Sequence, residues 1–291
     1  MPRQVAVSAG YNNLPNGNFI PEVWSRKLQA KFYATTVFGA ISNNDWEGEI
    51  QGQGAKVIIR KRPTITIGDY QHGGTINYQD LTDEKIELLI DKAKVYAFKV
   101  DDIDRAQSDI NIINETTLDA SEQMKITIDT DLLANIYTDA TSSIAATVVT
   151  KTNVLEWIVD AGTLLDELNI PVDGRWLVIP PWVAGMIKKG DLKDASLAGD
   201  MTSILRNGRL GVIDRFTLYV SNNIALVGVP ATGEYKCIAG TRDFVSFASQ
   251  YVKTETLRLQ DTFGDAIRGL NVYGYKVTHA DSGVSMPAKK A

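Results

Sequence analysis

The sequence is poor in the residues on which many enzymes and metal sites depend. A single cysteine, Cys237, excludes an intramolecular disulfide and any cysteine-rich zinc site. Two histidines, His72 and His279, leave little material for a histidine-based metal site or a catalytic triad. The formal net charge of −5 also lacks the basic surplus that compact DNA-binding domains usually carry. Much enzymatic, zinc-binding and DNA-reading chemistry is therefore disfavoured at the outset.

Long apolar runs are missing as well. The longest, WLVIPPWVAGMI at 176–187, contains two prolines and falls well short of the roughly 20 residues that a membrane-spanning helix needs. Residues 1–20 contain no apolar core of the kind found in secretory signal peptides. We therefore expect a soluble protein that is made in a reducing cytoplasm and has no membrane partner.

The composition that remains is ordinary for a globular chain. Apolar residues make up 44% and charged residues 22% of the 291 residues. A chain of this length suggests about two domains, or one elaborate domain.

Two runs of alternating apolar and polar residues occupy much of the segment 47–100. The first covers 55–67, and the second covers 85–100 with a change of parity near Asp91. Period-two alternation predicts strands, and the change of parity predicts a bulge or bend. Because the stretch between the runs is polar and contains glycine, we expect a long β-hairpin with an elaborate tip. A two-stranded ribbon is marginally stable alone, so this one needs a partner surface, which another copy of the chain would supply.

The segment 101–139 changes to a helical period of three to four residues, which predicts a long helix. Its ten acidic and two basic residues give it a formal charge of about −8, so the acidity of the chain is concentrated there. A shorter helix is predicted over 22–38, and residues before it read as an extended arm.

From residue 140 onward the pattern is typical of an α/β unit. We expect an amphipathic helix after Asn153, a buried strand at 176–180, a helix from Pro181, and strands over 216–222 and 224–240. The remaining expectations concern the chain end. They are a short helix at 244–250, strands over 251–279, and a loose tail from residue 281.

Local motifs offer little chemistry. The string GEIQGQGAKV at 48–57 lacks the glycine spacing and the following helix of a phosphate-binding loop. The acidic residues Asp101, Asp102 and Asp104, with Asp129 and Asp131 further on, are of a type that binds Mg²⁺ or Ca²⁺. They match no loop motif, and helix capping and a solvated acidic face explain them. Cys237, in an apolar strand, is interpreted as a buried, inert thiol.

Six strings nevertheless occur in an order that resembles a known family. They are NFIPEVWSRKL (18–28), DWEGEIQGQGAKVIIRKRP (45–63), YQDLTDEKIELLIDKAKVYAFKVDDIDRAQ (78–107), GRWLVIPPWVAGMI (174–187), ILRNGRLGVIDRFTLYVSNN (204–223) and DTFGDAIRGLNVYGYKV (261–277). Together with the order of predicted elements, they resemble the major capsid proteins of tailed bacteriophages with the Hong Kong 97-type fold.

This resemblance implies an α+β fold with an N-terminal arm, a β-hairpin E-loop, a peripheral (P) domain with a long spine helix, and an α/β axial (A) domain. The implied divisions are 1–45 for the arm and first helix, 46–100 for the E-loop, 101–139 for the spine helix, 140–250 for the A domain, and 251–291 for returning P-domain strands and the C-terminal tail. In the family the E-loop lies across a neighbouring subunit. The implied function is a capsid protein that self-assembles into an icosahedral shell around double-stranded DNA, without an enzymatic activity, metal or cofactor.

Contacts between subunits are expected at two places. One is the arm, where apolar side chains cluster at Phe19, Ile20 and Trp24. The other is the hairpin. Its basic residues are Arg60, Lys61 and Arg62, and its nearby acidic residues include Asp80 and Glu84. We expect ion pairing between these two sets, within one subunit or between subunits.

The partners implied are other copies of the chain in hexamers and pentamers, packaged DNA bound without sequence specificity, and separate scaffold, portal and decoration proteins. Assembly would take place in the host bacterial cytoplasm. Two alternatives stay open at this point. One is an encapsulin-like compartment on the same fold, which encloses a cargo enzyme. The other is a soluble α/β enzyme or binding module.

Overall fold

A computed structural model describes most of the chain. The described residues are 33–46, 56–63, 65–69, 72–73, 78–81, 84–102, 112–190, 211–230, 232–260 and 262–290.

The helices and strands follow one another in a mixed order. The helices are α1 (Phe38–Ile41), α2 (Ile112–Asn135), α3 (Val154–Glu167) and α4 (Pro181–Lys189), with short 3-10 helices at Ile136–Asp139 and Ala280–Ser282. The strands are β1 (Lys56–Arg60), β2 (Lys85–Leu89), β3 (Lys92–Asp101), β4 (Ser142–Ser143), β5 (Thr147–Val148), β6 (Arg175–Ile179), β7 (Val212–Ile213), β8 (Phe216–Val220), β9 (Leu226–Val227), β10 (Glu234–Thr241), β11 (Val245–Arg258), β12 (Gly264–Val277) and β13 (Gly283–Lys289).

The largest sheet lies at the centre of the α/β part. Its main order is β4-β13-β10-β6-β8-β7, with β5 also paired to β13 and β9 to β10. Helices α3 and α4 bury their apolar faces against this sheet, and Trp157, Leu165 and Ile187 belong to the core they form with it. Strand β6 is buried along its whole length, as predicted from its composition.

A second core lies on the other face of the large sheet and continues under a smaller sheet. Trp176 and Ile238 from the large sheet meet Leu132 and Ile136 at the end of α2. Phe247 of β11 belongs to the same core and contacts the ring of Phe38, with 5.2 Å between centroids. The end of α2 and helix α1 therefore join the large sheet to the smaller one.

The smaller sheet, called here the body sheet, consists of β11, β12 and β3, all antiparallel. One face carries Lys92 and Tyr273, which reach toward α2. The opposite face carries side chains such as Val95 and Leu270, which are paired across β3 and β12. The predicted break near Asp91 is confirmed, because β2 ends at Leu89 and β3 begins at Lys92.

The predicted hairpin is confirmed in its pairing but not in its length. Strands β1 and β2 pair antiparallel from Lys56↔Leu89 to Arg60↔Lys85. One further backbone hydrogen bond follows, from the N–H of Lys61 to the carbonyl of Glu84, at 2.8 Å. The alternation in sequence continues to residue 67, but the described residues 65–69 are not strand, because no paired partner strand faces them in the described part of the chain.

Two expectations near the chain end are wrong. Residues 244–250 do not form a helix, since β11 begins at Val245. Both faces of this segment are covered, by Phe38 and Tyr273 on one side and by the hairpin core on the other, so no alternation is visible in the sequence. The tail after residue 281 is not loose either. Strand β13 pairs with β10 in the large sheet, and its first residue, Gly283, lies where an added side chain would meet the ring of Phe244.

The helix predicted over 22–38 is wrong in the part that the structure describes. Residues 33–37 are not helical, and α1 begins only at Phe38. The rest of that prediction lies outside the described residues. For the long helix predicted over 101–139, α2 and the following 3-10 turn confirm the stretch from 112 to 139.

Candidate assembly interface

The base of the hairpin is anchored on the body sheet by a small core of its own. Val57 and Ile59 of β1 and Leu88 of β2 are buried together with Ile90 and with Ala248 of β11. These side chains share the inward face of the ribbon, as the period of two requires. The base of the hairpin is therefore part of the folded subunit.

The other face of the ribbon is exposed and partly apolar. Lys56, Ile58 and Arg60 point outward from β1, opposite Leu89, Glu87 and Lys85 of β2. Lys56 Nζ donates to Glu87 Oε1 at 3.0 Å, and the hydrogen bond and charge of Lys56 lower the pKa of the Glu87 carboxyl. Ile58 and Leu89 remain about half exposed on either side of this pair.

Beyond the paired strands, the described residues of the hairpin expose large apolar side chains. Ile67 is 94% exposed and Tyr78 is 92% exposed, and Ile65 and Leu81 are also largely in solvent. Single exposed apolar side chains are normal on a protein surface, but four large ones in one short stretch are typical of an interaction surface.

The charged residues predicted for the hairpin are all exposed. Arg60, Lys61 and Arg62 form no ion pair among the residues that the structure describes, and Asp80 and Glu84 form none there either. The contact that the structure does show between the two sets is the backbone bond from Lys61 to Glu84. Ion pairing within one subunit is thus not found in this part of the chain. Pairing between subunits stays a prediction, as does the role of Phe19, Ile20 and Trp24, which lie outside the described residues.

A groove that the sequence did not predict lies on the face of the body sheet turned away from α2. It has a volume of about 390 Å³. Its lining residues, called here the open sheet face, are Val95, Lys253, Glu255, Arg268 and Leu270. Val95 is 68% exposed, and Arg268 donates to Glu255 Oε2 at 2.7 Å. The open sheet face therefore offers an apolar centre beside an ion pair, on the same side of the sheet as the hairpin base.

A buried carboxylate fixes the start of helix α1 within the described segment 33–46. Asp129 of α2 accepts the backbone N–H groups of Val37 and Phe38 at 3.0 and 2.8 Å and the side-chain amide of Asn223 at 2.7 Å. Burial raises the pKa of Asp129, and the three hydrogen bonds partly offset this rise. The interpretation of Asp129 as part of a solvated acidic face is wrong.

A second polar cluster joins α2 to the body sheet. Lys92 Nζ donates to Asp131 Oδ2 at 3.1 Å and to the hydroxyl of Tyr275 at 2.9 Å, and Tyr273 also donates to Asp131. Burial acts to raise the pKa of Asp131, but the hydrogen bonds from Lys92 and Tyr273 outweigh it and lower the pKa. Asp131 is therefore engaged inside the subunit as well.

Nearer the start of α2, Tyr33 donates from its hydroxyl to Asp119 at 2.7 Å. This hydrogen bond, together with burial and the charges of Asp119, Glu122 and Glu115, raises the pKa of Tyr33 to about 12. Since Tyr33 lies at Asp119 and Val37 lies at Asp129, the segment between them runs alongside α2 in the same direction.

Other chemical candidates gain no support from the described residues. Cys237 is fully buried, and burial raises the pKa of its thiol. No group of three or more potential metal-binding side chains is found among the described residues. A phosphate-binding loop is followed by a helix. Here a strand begins at Lys56, so the prediction that no helix follows the glycine-containing string is confirmed. Within the described residues, the helices include none that is long and apolar enough to cross a membrane.

Comparison with known families decides between the alternatives. A family model described as phage capsid protein matches residues 84–285, more than half of the chain. The chain belongs to the phage capsid protein family. It is a major capsid protein, and its place is the icosahedral capsid of the virion. The match disfavours both the encapsulin-like compartment and the soluble enzyme or binding module.

Solved capsid-protein structures agree with this assignment. A chain from Mycobacterium phage Che8 is 29% identical with a TM-score of 0.81, covering 92% of this chain and 97% of that one. The capsid chain of Cyanophage P-SCSP1u has a TM-score of 0.78 at 13% identity, covering 99% and 100%. For the mature capsid of bacteriophage PhiM1, the TM-score is 0.73 at 13% identity, with 100% and 98% covered. No curated protein matches the sequence significantly. These likenesses show the α+β capsid fold, which is consistent with the Hong Kong 97 type.

Proposed function

We propose that this major capsid protein closes a shell around double-stranded DNA by laying the hairpin of each copy on the open sheet face of the next. The observation that carries this proposal is the hairpin itself. Its base is folded into its own subunit, whereas its outer face and distal residues expose Ile58, Ile65, Ile67 and Tyr78 to solvent. Covering such side chains in an assembly gains roughly 25 cal/mol for each Å² of apolar surface removed from water.

The open sheet face suits this role because of where it lies. The base of each subunit's own hairpin already covers Ala248 and part of Val272 on that side of the body sheet. Val95 and Leu270 continue the same face, where Val95 is exposed and Leu270 is half-buried. A hairpin from a neighbouring copy would extend the cover that the subunit's own hairpin begins. Such a contact joins two different surfaces, so it repeats around a ring and builds a closed shell from many modest interfaces.

Other parts of the chain would contribute further contacts. In this proposal the divisions at 1–45, 46–100, 101–139, 140–250 and 251–291 correspond to the arm, the E-loop, the spine helix, the A domain and the returning P-domain strands. Phe19, Ile20 and Trp24 would add apolar contacts from the arm. Arg60, Lys61 and Arg62 would meet acidic side chains of a neighbour, of the type that Asp80 and Glu84 provide.

The packaged DNA would be enclosed without being tightly bound. If α2 lines the interior, as the resemblance implies, then Glu115, Asp119 and Glu122 would face the phosphates, whereas Asp129 and Asp131 are engaged within the subunit. A remaining negative surface repels DNA, which allows the genome to enter and leave. The interior of assembled shells should therefore bind the enclosed double-stranded DNA weakly, with a shallow dependence on salt. A steep salt dependence would contradict this part of the proposal.

The remaining features of the proposal follow from the family. The protein would act as a structural component with no catalytic activity of its own, would assemble in the host cytoplasm, and would work with separate portal, scaffold and decoration proteins.

The shell contact is tested with one variant on each surface. Ile67→Asp places a charge on the distal hairpin, and Val95→Asp places one in the groove. Because both side chains are exposed in the subunit, we expect unchanged unfolding of the unassembled protein but at least a tenfold loss of fast-sedimenting shells. Velocity sedimentation and negative-stain electron microscopy measure the yield.

Conservative variants at the same positions serve as controls. Ile67→Leu and Val95→Ile keep an apolar side chain, so their shell yield should match that of the natural protein. Full assembly of both aspartate variants would show that neither surface is covered in the shell, and the proposed contact would then be wrong.

A further inference from the structure

The hairpin meets the body sheet at a glycine. Gly274 lies in β12 on the face turned away from α2, opposite Ala248 of β11. A Cβ atom at this position would collide with the carbonyl oxygen of Leu89 and would lie 2.9 Å from the Cα of Ile90. The atoms that the Cβ would meet belong to the backbone, and the position of the Cβ is itself fixed by the backbone of β12. Rotation of a side chain therefore cannot relieve the collision. Glycine is therefore needed for the chain at residues 89–90 to lie directly on β12.

The chain at this contact is the point where the hairpin separates from the body. Leu89 is the last residue of β2, Lys92 is the first residue of β3, and the two residues between them belong to neither strand. Leu88 and Ile90 are buried on the two sides of Leu89, in the small core under the ribbon. A change in the distance between residues 89–90 and strand β12 must therefore move the whole base of the ribbon.

The same turning point is also held on the other face of the body sheet. Lys92 points toward α2 and donates to Asp131 and to the hydroxyl of Tyr275, and its ammonium group lies 4.4 Å from the centre of the Tyr275 ring. Gly274 thus limits the position of Leu89 on one face of the sheet. A few residues later in the chain, Lys92 is bonded on the opposite face. We call these two contacts the hairpin seat.

We infer that the hairpin seat sets the direction in which the hairpin leaves the subunit, and that Gly274 is the positioning residue for shell assembly. This inference rests on the proposed function, because the direction matters only if the hairpin contacts a neighbour. The paired strands continue about 13 Å beyond the seat, at roughly 3.3 Å per residue, and the exposed Ile65 and Ile67 lie farther along the chain. A small displacement at the seat is therefore enlarged where the neighbour is met.

The test compares two substitutions on the same strand. Gly274→Ala pushes against the backbone of the hairpin. Gly269→Ala is the matched control, because its added methyl group meets the ring of Tyr96 on the other face of the sheet, which is a side chain of the body sheet and not the backbone of the hairpin. Spin labels at Ile67→Cys and Thr163→Cys report the distance between the hairpin and the α/β part, since the buried Cys237 is not accessible to the label.

We expect Gly274→Ala to shift the spin-label distance distribution and to lower the shell yield at least tenfold, with native circular dichroism of the unassembled subunit. Gly269→Ala should keep both the distance and the yield. If Gly274→Ala keeps the natural distance or assembles fully, the inference is overturned.

A second variant covers the case in which Gly274→Ala does not fold. Lys92→Met keeps an unbranched stem but removes the bonds to Asp131 and Tyr275, so we expect a broader distance distribution and a reduced shell yield. An unchanged distribution with full yield would overturn the inference by this route.

The inference and the proposed function fail in different ways. Full assembly of the seat variants together with loss of assembly in Ile67→Asp would reject the seat and keep the proposed contact. Full assembly of Ile67→Asp and Val95→Asp would reject the contact itself.

Discussion

Two five-residue strands of this protein, β6 and β1, differ in how completely the rest of the subunit covers them. Strand β6 reads RWLVI, pairs with β10 and β8 on its two edges, and is buried at every position. Strand β1 has the sequence KVIIR, pairs with β2 as its one partner among the described residues, and buries only Val57 and Ile59. The first strand is complete within one subunit, whereas the second is half covered. A capsid protein needs both kinds of strand. The fully buried strand stabilises the subunit, and the half-exposed strand leaves apolar surface that assembly can bury.

The largest effect should come from the complete region. Leu177 of β6 has no exposed surface and lies in the core between the large sheet and the helices α3 and α4. Leu177→Ala should lower the free energy of unfolding by about 2–5 kcal/mol, since it leaves a cavity that the core cannot fill. Urea unfolding of the unassembled subunit measures this change. Val212→Ala, on an exposed edge strand, is the control and should change little.

The segment leading toward the hairpin provides the next effect. Asp129→Ala leaves the N–H groups of Val37 and Phe38 and the amide of Asn223 without their acceptor, which should cost about 3 kcal/mol. A solvated acidic residue would cost nothing measurable, so an unchanged unfolding free energy in Asp129→Ala would refute the role we assign to this carboxylate.

The Asn variant at the same position gives a pH test. Burial raises the pKa of Asp129, so the folded state holds this proton more firmly than the unfolded state does. The contribution of Asp129 is therefore most favourable at low pH and declines as the pH rises from about 4, its unfolded value, through the raised folded value. Asp129→Asn cannot titrate. Relative to that variant, the natural protein should lose stability over this pH window.

The smallest effect on global stability should come from the base of the hairpin. Leu88 is fully buried, but its core involves few residues outside the ribbon. We expect Leu88→Ala to cost about 2 kcal/mol locally, seen as faster hydrogen exchange in β1 and β2 with unchanged protection in β6. Equal loss of protection in β6 would mean that the two regions unfold together and that the contrast drawn here is wrong.

Much of the complete region could be predicted from the sequence. The composition of β6 indicated a buried strand, Pro181 marked the start of α4, and the helix after Asn153 showed a clear apolar period. These elements are specified by short stretches of sequence, so local patterns suffice. The break between β2 and β3 was visible for the same reason, as a change of parity near Asp91.

The features that could not be predicted depend on contacts between residues that are far apart in the sequence. Residues 244–248 are buried on both faces of their strand, so they show no alternation, and the fit of Gly283 at the start of β13 against the ring of Phe244 involves a residue far away in the sequence. Asp129 resembles its acidic neighbours in sequence, and only the approach of Asn223 and residues 37–38 distinguishes it. The fit of Gly274 under Leu89 is likewise invisible until the two segments are brought together.

The central claim is that the open sheet face of each copy is covered by the hairpin of a neighbour. Cryo-electron microscopy of assembled shells at side-chain resolution tests it most directly. The account predicts density from a neighbouring copy's hairpin over Val95 and Leu270, with Ile67 or Tyr78 excluded from solvent. Shells in which that groove is open, with the distal hairpin free of any neighbouring chain, would contradict it.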